Sequence, residues 1–220
     1  MSGQPGCTAC ALPLPLPGLA SHERPTDPPH PAQPLCARCM RQPPPVDATL
    51  AAVPYAYPWS TLIGRFKFGE QPGWAGFFAD LLLQTPGVAQ TLGNLDRQDW
   101  LVPLPLSAQR LQARGFNQAW ELASALARQS CTPARADPQL LLRPRDTRPQ
   151  SQLGRQARLT NVKGVFQVDP LRAHELRGRR VVLVDDVMTS GASLFAAAQA
   201  LRDAGAAHIT ALVLARTAPA

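Results

Sequence analysis

The sequence lacks long hydrophobic segments, and no apolar run approaches the roughly 20 residues that span a bilayer. Its first residues also lack the positively charged start of a signal peptide, and prolines interrupt the apolar stretch at residues 12–16. We therefore expect no membrane span and a cytoplasmic location.

Lysine is nearly absent. Of the 22 basic residues only Lys67 and Lys163 are lysines, yet the formal net charge is +7. A basic chain favours anionic partners, either phosphorylated small molecules or nucleic acid. A genome-wide bias toward Arg, Ala and Pro explains the same composition, so the charge alone does not decide the function.

Cysteine is also scarce, and four of the five cysteines form two Cys-x-x-Cys pairs: Cys7 with Cys10, and Cys36 with Cys39. In a reducing compartment this spacing predicts four thiolate ligands of a structural Zn²⁺ rather than disulfides. The 25 residues between the pairs carry His22 and His30 as substitute ligands. The alternative is two loosely held thiol pairs without metal. Cys131 stands alone and is interpreted as a passive residue.

The most informative segment is residues 181–193, VVLVDDVMTSGAS. Four apolar residues predict a buried strand, two acids (Asp185 and Asp186) follow it, and a short loop then opens an Ala-rich helix. A loop at a helix N-terminus offers backbone N–H groups to a phosphate, and hydroxyl side chains add donors. Carboxylates can accept hydrogen bonds from vicinal sugar hydroxyls. The segment therefore predicts a ribose 5-phosphate site formed by the following residues: Asp185, Asp186, Thr189, Ser190, Gly191, Ala192 and Ser193.

Apolar strands alternate with amphipathic helices along the chain, which predicts a parallel sheet covered on both faces, a doubly wound α/β fold. The helices are predicted at 59–68, 74–84, 118–129 (with Asn117 as N-cap) and 192–204, and the strands at 100–102, 140–143, 165–168, 181–184 and 209–215. Residues 41–49 are predicted to be a linker, 85–98 a loop, and 144–163 a long Arg-rich loop.

Several further motifs occur in a fixed order. LIGRFK spans residues 62–67, VPLPL spans 102–106 with Arg110 after it, RGFNQ spans 114–118, and LART spans 214–217. Between them lie Gln150-x-x-Leu153, Arg158-x-x-Asn161 and the Gly164-Val165-Phe166 triplet. Together with the cysteine pairs and the 181–193 segment, this order resembles the ComF family (competence protein ComF and GntX-like proteins) over nearly the whole chain.

The resemblance implies a zinc finger (residues 1–45) followed by a type I phosphoribosyltransferase-like domain (residues 46–220). It implies that the ligand is phosphoribosyl diphosphate (PRPP) or a related ribose phosphate. The diphosphate would sit at residues 104–110 with Mg²⁺ bridging it to the sugar, and the candidate ligands on that side are Leu104, Arg110, Arg114, Gln118 and Arg158. Ser190 and Ser193 stand where Thr is commoner in the family, and both keep the hydroxyl.

For function, the resemblance implies a role in DNA uptake and natural transformation, with the uptake helicase and the later DNA-processing proteins as partners. Two hypotheses stay open at this point. The chain is an active transferase that displaces diphosphate from PRPP, or it is a binding module that engages single-stranded DNA or the helicase. The Arg-rich loop fits both, since it can close over a diphosphate or follow a nucleic-acid backbone, and a plain solvated loop is the third interpretation.

Overall fold

The computed structural model describes residues 6–14, 34–68, 71–144 and 164–218. The long apolar segments become strands and the amphipathic segments become helices. In chain order the elements are α1 (Ala37–Arg41), β1 (Ala48–Pro54), α2 (Trp59–Phe68), α3 (Trp74–Leu83), α4 (Val88–Gly93), β2 (Trp100–Pro103), α5 (Ala108–Arg114), α6 (Gln118–Ser130), β3 (Arg135–Ala136), β4 (Leu141–Leu142), β5 (Gln167–Val168), a 3-10 helix (Ala173–Leu176), β6 (Arg180–Met188), α7 (Ala192–Asp203) and β7 (His208–Arg216).

Five strands form one sheet in the order β1-β7-β6-β2-β3. Every neighbouring pair in this sheet is parallel. The central strands β6 and β7 are buried along almost their whole length, as expected for a parallel sheet that is covered on both faces. β4 and β5 form a separate antiparallel pair.

Helices and apolar side chains cover both faces of the sheet. On one face α2, α3, α4 and α6 bury an aromatic and aliphatic cluster that includes Phe66, Phe78 and Leu122. On the other face α7 packs with β4, β5 and the N-terminal cysteine segment. The predicted doubly wound α/β class is therefore confirmed.

Three local predictions were wrong. Strand β1 begins within the predicted linker at residues 41–49 and was not predicted. Its Ala-rich sequence has low β-propensity, and its hydrogen bonds come from pairing with β7. The predicted loop 85–98 contains α4, and α5 follows Ser107, whose side chain accepts a hydrogen bond from the Arg110 backbone N–H. Strand β6 does not end before the acids but continues through them to Met188.

The N-terminal segment lies against the free edge of β1. The Thr49 backbone N–H donates to the Thr8 carbonyl at 2.7 Å, and the Thr49 hydroxyl donates to the Ala9 carbonyl at 2.8 Å. The predicted boundary at residue 45 falls between α1 and β1, and the two sides of it share one apolar cluster. Within the described ranges, none of the helices has the length and apolarity needed to cross a bilayer.

Candidate functional site: a crevice between two parallel strands

The candidate site is a cavity of about 300 Å³ at the carboxyl ends of β2 and β6. The strand that follows β2 in the chain, β3, lies toward one edge of the sheet, whereas the strand that follows β6, β7, lies toward the opposite edge. Connections that diverge in this way open a crevice between the two strands, which is where ligands of open α/β sheets bind. The position therefore follows from the strand order.

The two acids form one wall of this cavity. The Asp186 backbone N–H donates to Asp185 Oδ1 at 2.8 Å, and Asp186 Oδ1 pairs with Lys67 Nζ of α2 at 2.9 Å. Burial, reinforced by the neighbouring Asp186 charge, raises the pKa of Asp185 to about 7, although the Lys67 and Arg114 charges oppose the shift. Asp185 is thus a carboxyl group that titrates near neutrality, and Asp186 is held in an ion pair.

The loop at residues 189–191 forms the floor and leads into α7. Gly191 precedes α7 with φ of +79°, and a Cβ there would lie 2.6 Å from Met188 Cε and 2.7 Å from the Phe195 ring. Glycine adopts this backbone angle without strain, and any other residue would also force the Met188 or Phe195 side chain to move. The Ala192 backbone N–H donates to Ser190 Oγ at 3.3 Å. The loop therefore presents backbone N–H groups and hydroxyls at the positive end of a 12-residue helix, a suitable site for phosphate.

Residues that follow β2 form the opposite wall. Asn117 caps α6 by accepting a hydrogen bond from the Ala119 backbone N–H at 3.0 Å, which confirms the predicted cap, and it donates to the Leu104 carbonyl at 3.1 Å. Arg114 donates to Gln118 Oε1 at 2.9 Å, and its guanidinium lies 5.1 Å from the centre of the Phe68 ring. The amide nitrogen of Gln118 is buried and has no hydrogen-bond partner among the described residues.

The cavity brings together nearly all of the residues predicted from the sequence. They line it as follows: Leu104, Arg110, Arg114, Gln118, Asp185, Asp186, Thr189, Ser190, Gly191, Ala192 and Ser193. Arg158 lies outside the described residues, as does most of the Arg-rich loop. Lys67 and Tyr55 also line the cavity without having been assigned to it, and so does Arg143, which begins the Arg-rich stretch that was considered for the diphosphate. Lys67 was visible as the last residue of the LIGRFK motif, but nothing local indicated that it would meet Asp186.

The four paired cysteines form a second candidate site, a metal centre. Cys7, Cys10, Cys36 and Cys39 are all buried, and their sulfur atoms lie within 4.8 Å of one another. Sγ of Cys10 and Sγ of Cys36 are 3.7 Å apart, whereas a tetrahedral Zn²⁺ with bonds of about 2.3 Å needs sulfur atoms about 3.8 Å apart. The cluster fits a structural zinc ion. His22 and His30 lie outside the described residues.

The thiols of this cluster differ in acidity. Burial raises the pKa of Cys36, but hydrogen bonds to its sulfur from the Cys39 backbone and from the neighbouring thiols outweigh this effect and lower the pKa to about 7. Burial raises the pKa of Cys10 and Cys39. The four cysteines would hold a bound cation as thiolates, so metal binding would release the protons of those that are protonated.

Comparison with known proteins places the chain beside proteins of DNA utilization and competence. The phosphoribosyl transferase domain model matches residues 143–219. DNA utilization protein YhgH of Salmonella typhimurium is 34% identical over 189 residues, which cover 86% of this chain and 80% of that protein.

Two relatives carry competence in their names. Competence protein F of Haemophilus influenzae is 33% identical over 181 residues, covering 82% of this chain and 78% of that protein. Competence protein ComFC of Bacillus subtilis is 35% identical over 123 residues, covering 56% of this chain and 46% of that protein. The region matched by the domain model includes the 181–193 segment.

Proposed function

We propose that this chain, which belongs to the ComF family of competence and DNA utilization proteins with a phosphoribosyl transferase domain, binds PRPP or a related ribose phosphate and acts in DNA uptake. The observation that carries the proposal is the cavity in which the acid pair faces the loop before α7 and the arginines that follow β2. A ribose that carries both a 5-phosphate and a diphosphate would use all three groups at once.

The 5-phosphate would bind in the loop at residues 189–193. Backbone N–H groups of the first turn of α7 and the hydroxyls of Thr189, Ser190 and Ser193 can donate to its oxygens. The left-handed backbone at Gly191 allows the close approach.

The ribose hydroxyls would bind the acid pair. A carboxylate accepts two hydrogen bonds from vicinal hydroxyls, and Asp186 is oriented by its ion pair with Lys67. Asp185 and Asp186 would also help to hold Mg²⁺, which prefers carboxylate and phosphate oxygens and would offset the charge of the diphosphate. The diphosphate itself would face Arg110 and Arg114, where two guanidinium groups can offset its charge.

Titration calorimetry with PRPP and Mg²⁺ tests the proposal. Asp186→Asn should weaken binding by about 1.5–3 kcal/mol, the value of a hydrogen bond to a charged group. Asp203→Asn removes an exposed carboxylate at the far end of α7 and serves as the matched control. If the parent protein shows no heat of binding with PRPP or ribose 5-phosphate, or if Asp186→Asn binds like the parent, the proposal is wrong.

The names of the relatives support the DNA part of this proposal, since they refer to competence and DNA utilization. A cytoplasmic location belongs to the same proposal, and four unpaired cysteines in one cluster are typical of a reducing compartment. The proposed protein partners are the DNA-uptake helicase and the proteins that process the incoming strand. Genetic transformation assays in a naturally competent host, with and without the Asp186→Asn change, would connect the ligand site to DNA uptake.

A second candidate is a catalytically silent module that binds single-stranded DNA or the helicase. The observation that favours it is the Phe68 ring, which is 74% exposed and has the Arg114 guanidinium over it. Bases stack on such rings without sequence preference. Phe68→Ala should then weaken binding of an oligonucleotide by about 1–3 kcal/mol, whereas Phe77→Ala, also an exposed ring but on α3, should not.

The salt dependence of oligonucleotide binding tests the contribution of the Arg-rich loop. Removal of arginines between residues 143 and 158 should reduce the slope of log K against log salt by about 0.7 for each phosphate that is no longer neutralised.

A diphosphate-release screen with PRPP and candidate acceptors separates the two functions. Release with any acceptor supports the transferase, whereas tight PRPP binding without release supports the silent module.

A further inference from the structure

Arg216, the last residue of β7, lies between the cysteine cluster and the loop at residues 189–191, which is the candidate phosphate site. It is only 9% exposed, and its long-range acceptors among the described residues are backbone carbonyl oxygens. Nε donates to the Cys10 carbonyl at 2.9 Å. Nη1 donates to the Met188 carbonyl at 3.1 Å and to the Thr189 carbonyl. One guanidinium therefore holds the Cys10 carbonyl and the carbonyls of Met188 and Thr189 in fixed relative positions.

A second arginine makes a parallel connection. Arg38 lies between Cys36 and Cys39, on the helix α1 that this pair anchors, and its Nη1 donates to the Ser190 carbonyl at 3.3 Å. Each Cys-x-x-Cys pair is thus connected to backbone carbonyls at residues 188–190. Arg216 connects the first pair and Arg38 connects the second.

A metal bound at the cysteines would help to fix the positions of these partners. The Cys10 carbonyl belongs to the tight turn at residues 7–11, and a bound ion would fix this turn, since metal binding and folding coincide in such small modules. If the turn opens, Nε of Arg216 loses the Cys10 carbonyl as its acceptor, and a buried donor on a charged group that is left without a partner is costly. The guanidinium would then move toward solvent and release the Met188 and Thr189 carbonyls.

We propose that metal binding at the four cysteines and phosphate-ester binding at residues 189–193 are thermodynamically coupled, with Arg216 as the main positioning residue and Arg38 as a secondary one. This inference rests on the proposed ribose-phosphate site. Metal loss would lower the affinity for the phosphate ester, and by reciprocity a bound phosphate ester would slow metal loss.

The test measures zinc release from the full-length, zinc-loaded protein to a colorimetric chelator, with and without saturating ribose 5-phosphate. In the parent protein the ligand should slow release by about 5-fold or more, the lower end of ordinary coupling factors. In Arg216→Gln the ratio of the two rates should fall to near 1, and in Arg38→Ala it should fall partway. Arg128→Gln, on α6 and away from both sites, should keep the parent ratio.

The design separates this inference from the proposed function. Calorimetry first establishes whether the zinc-loaded parent binds ribose 5-phosphate. If it binds and zinc release is unchanged by the ligand, the coupling is wrong while the proposed function stands. If it does not bind, the proposed function fails, and the coupling, which rests on it, fails with it. Hydrogen exchange at residues 188–193 is a second measurement of whether the metal orders this segment.

In that exchange experiment, metal removal should speed exchange at residues 188–193 and leave α3 protected. Equal exchange with and without metal, or a purified chain that binds no zinc, would overturn the coupling. Arg38→Ala removes a more exposed hydrogen bond than Arg216→Gln does, so the prediction stays testable if Arg216→Gln fails to fold.

Discussion

At the scale of single residues, the cavity is defined by charges that lie close together and perturb one another. Asp185, Asp186, Lys67 and Arg114 come from three separate elements, and burial shifts the acidity of two of them. Burial lowers the pKa of Arg114, opposed mainly by the Asp186 charge, and raises that of Asp185 to about 7. Ligand affinity should therefore depend on pH close to neutrality.

The Asp185 carboxyl predicts opposite pH trends for stability and for binding. Its pKa is about 7 in the folded state against an ordinary value of 3.8, so between these values the folded protein holds a proton that the unfolded chain has lost. Its contribution to stability is complete in acid and disappears as the pH rises through 7. Ribose 5-phosphate affinity should rise over the same range, because only the carboxylate accepts two hydrogen bonds.

Urea unfolding and calorimetry between pH 5 and 8 measure both trends. Asp185→Asn should flatten the stability profile and weaken binding at pH 8 by about 1.5–3 kcal/mol. The phosphate group itself titrates near pH 6, and that component should persist in the variant. A binding profile that is identical in parent and variant would contradict the assignment.

Arg114 is expected to distinguish PRPP from ribose 5-phosphate. Arg114→Ala should weaken PRPP binding by about 1.5–3 kcal/mol and hardly affect ribose 5-phosphate, which lacks the diphosphate. It should also cost about 1 kcal/mol of stability, because Gln118 Oε1 loses its donor. Asn117→Ala provides the comparison: it should cost about 1 kcal/mol because α6 loses its N-cap. Equal losses of affinity for both ligands would remove Arg114 from the diphosphate site.

At the scale of elements, one unit carries most of the chemistry: β6, the loop at residues 189–191 and α7. Strands β6 and β2 are parallel, so both run toward the same carboxyl end of the sheet. The left-handed backbone at Gly191 then turns the chain into α7. The geometry of that residue decides where the backbone N–H groups point.

Gly191→Ala should therefore disrupt the loop. The new methyl group would meet Met188 Cε and the Phe195 ring at less than 3 Å, and the positive φ adds strain, so we expect a stability loss of about 1–3 kcal/mol together with weaker ribose 5-phosphate binding. Gly64→Ala is the control, because Gly64 lies in α2 with nothing within 4 Å of its Cβ position. This change should be neutral or stabilising by up to about 1 kcal/mol. Thermal unfolding of both variants checks the contrast.

At the scale of the whole molecule, the cysteine cluster packs on the same apolar cluster as α7 and the antiparallel pair of β4 and β5. The N-terminal segment also accepts hydrogen bonds from Thr49 at the free edge of β1. Loss of the metal should therefore be detected within the sheet as well as in the first residues.

Elemental analysis should find about one zinc per chain, and Cys10→Ser should lower this content and speed hydrogen exchange at Thr49. The central strands β6 and β7 should stay protected at residues 181–184 and 209–213, because the metal-binding segment does not contribute to their pairing there. Cys131→Ser changes an exposed cysteine outside the cluster and should retain the zinc content. A zinc-free parent with four freely titratable thiols would refute the metal centre.

The sequence by itself determined the parts of this protein that depend on neighbouring residues. The strand, acid pair, glycine loop and helix at residues 180–203 form a continuous unit, and the Cys-x-x-Cys spacing specifies a turn with two thiols. The alternation of apolar strands with amphipathic helices was enough to predict the parallel, doubly wound sheet, and the order of motifs was enough to indicate the family.

Only the tertiary structure decided which distant residues meet. Strand β1 has a weak local signal and exists through pairing with β7. Lys67 reaches Asp186, and Arg216 reaches Cys10, across more than a hundred residues of chain. Local periodicity reports which face of an element is buried, but it contains no information about which elements become neighbours. Which elements become neighbours is set by the strand order and by the burial of apolar faces against one another. These place the loop at residues 189–191 in the cavity that Lys67 also lines and join its carbonyls to Arg216 and Arg38.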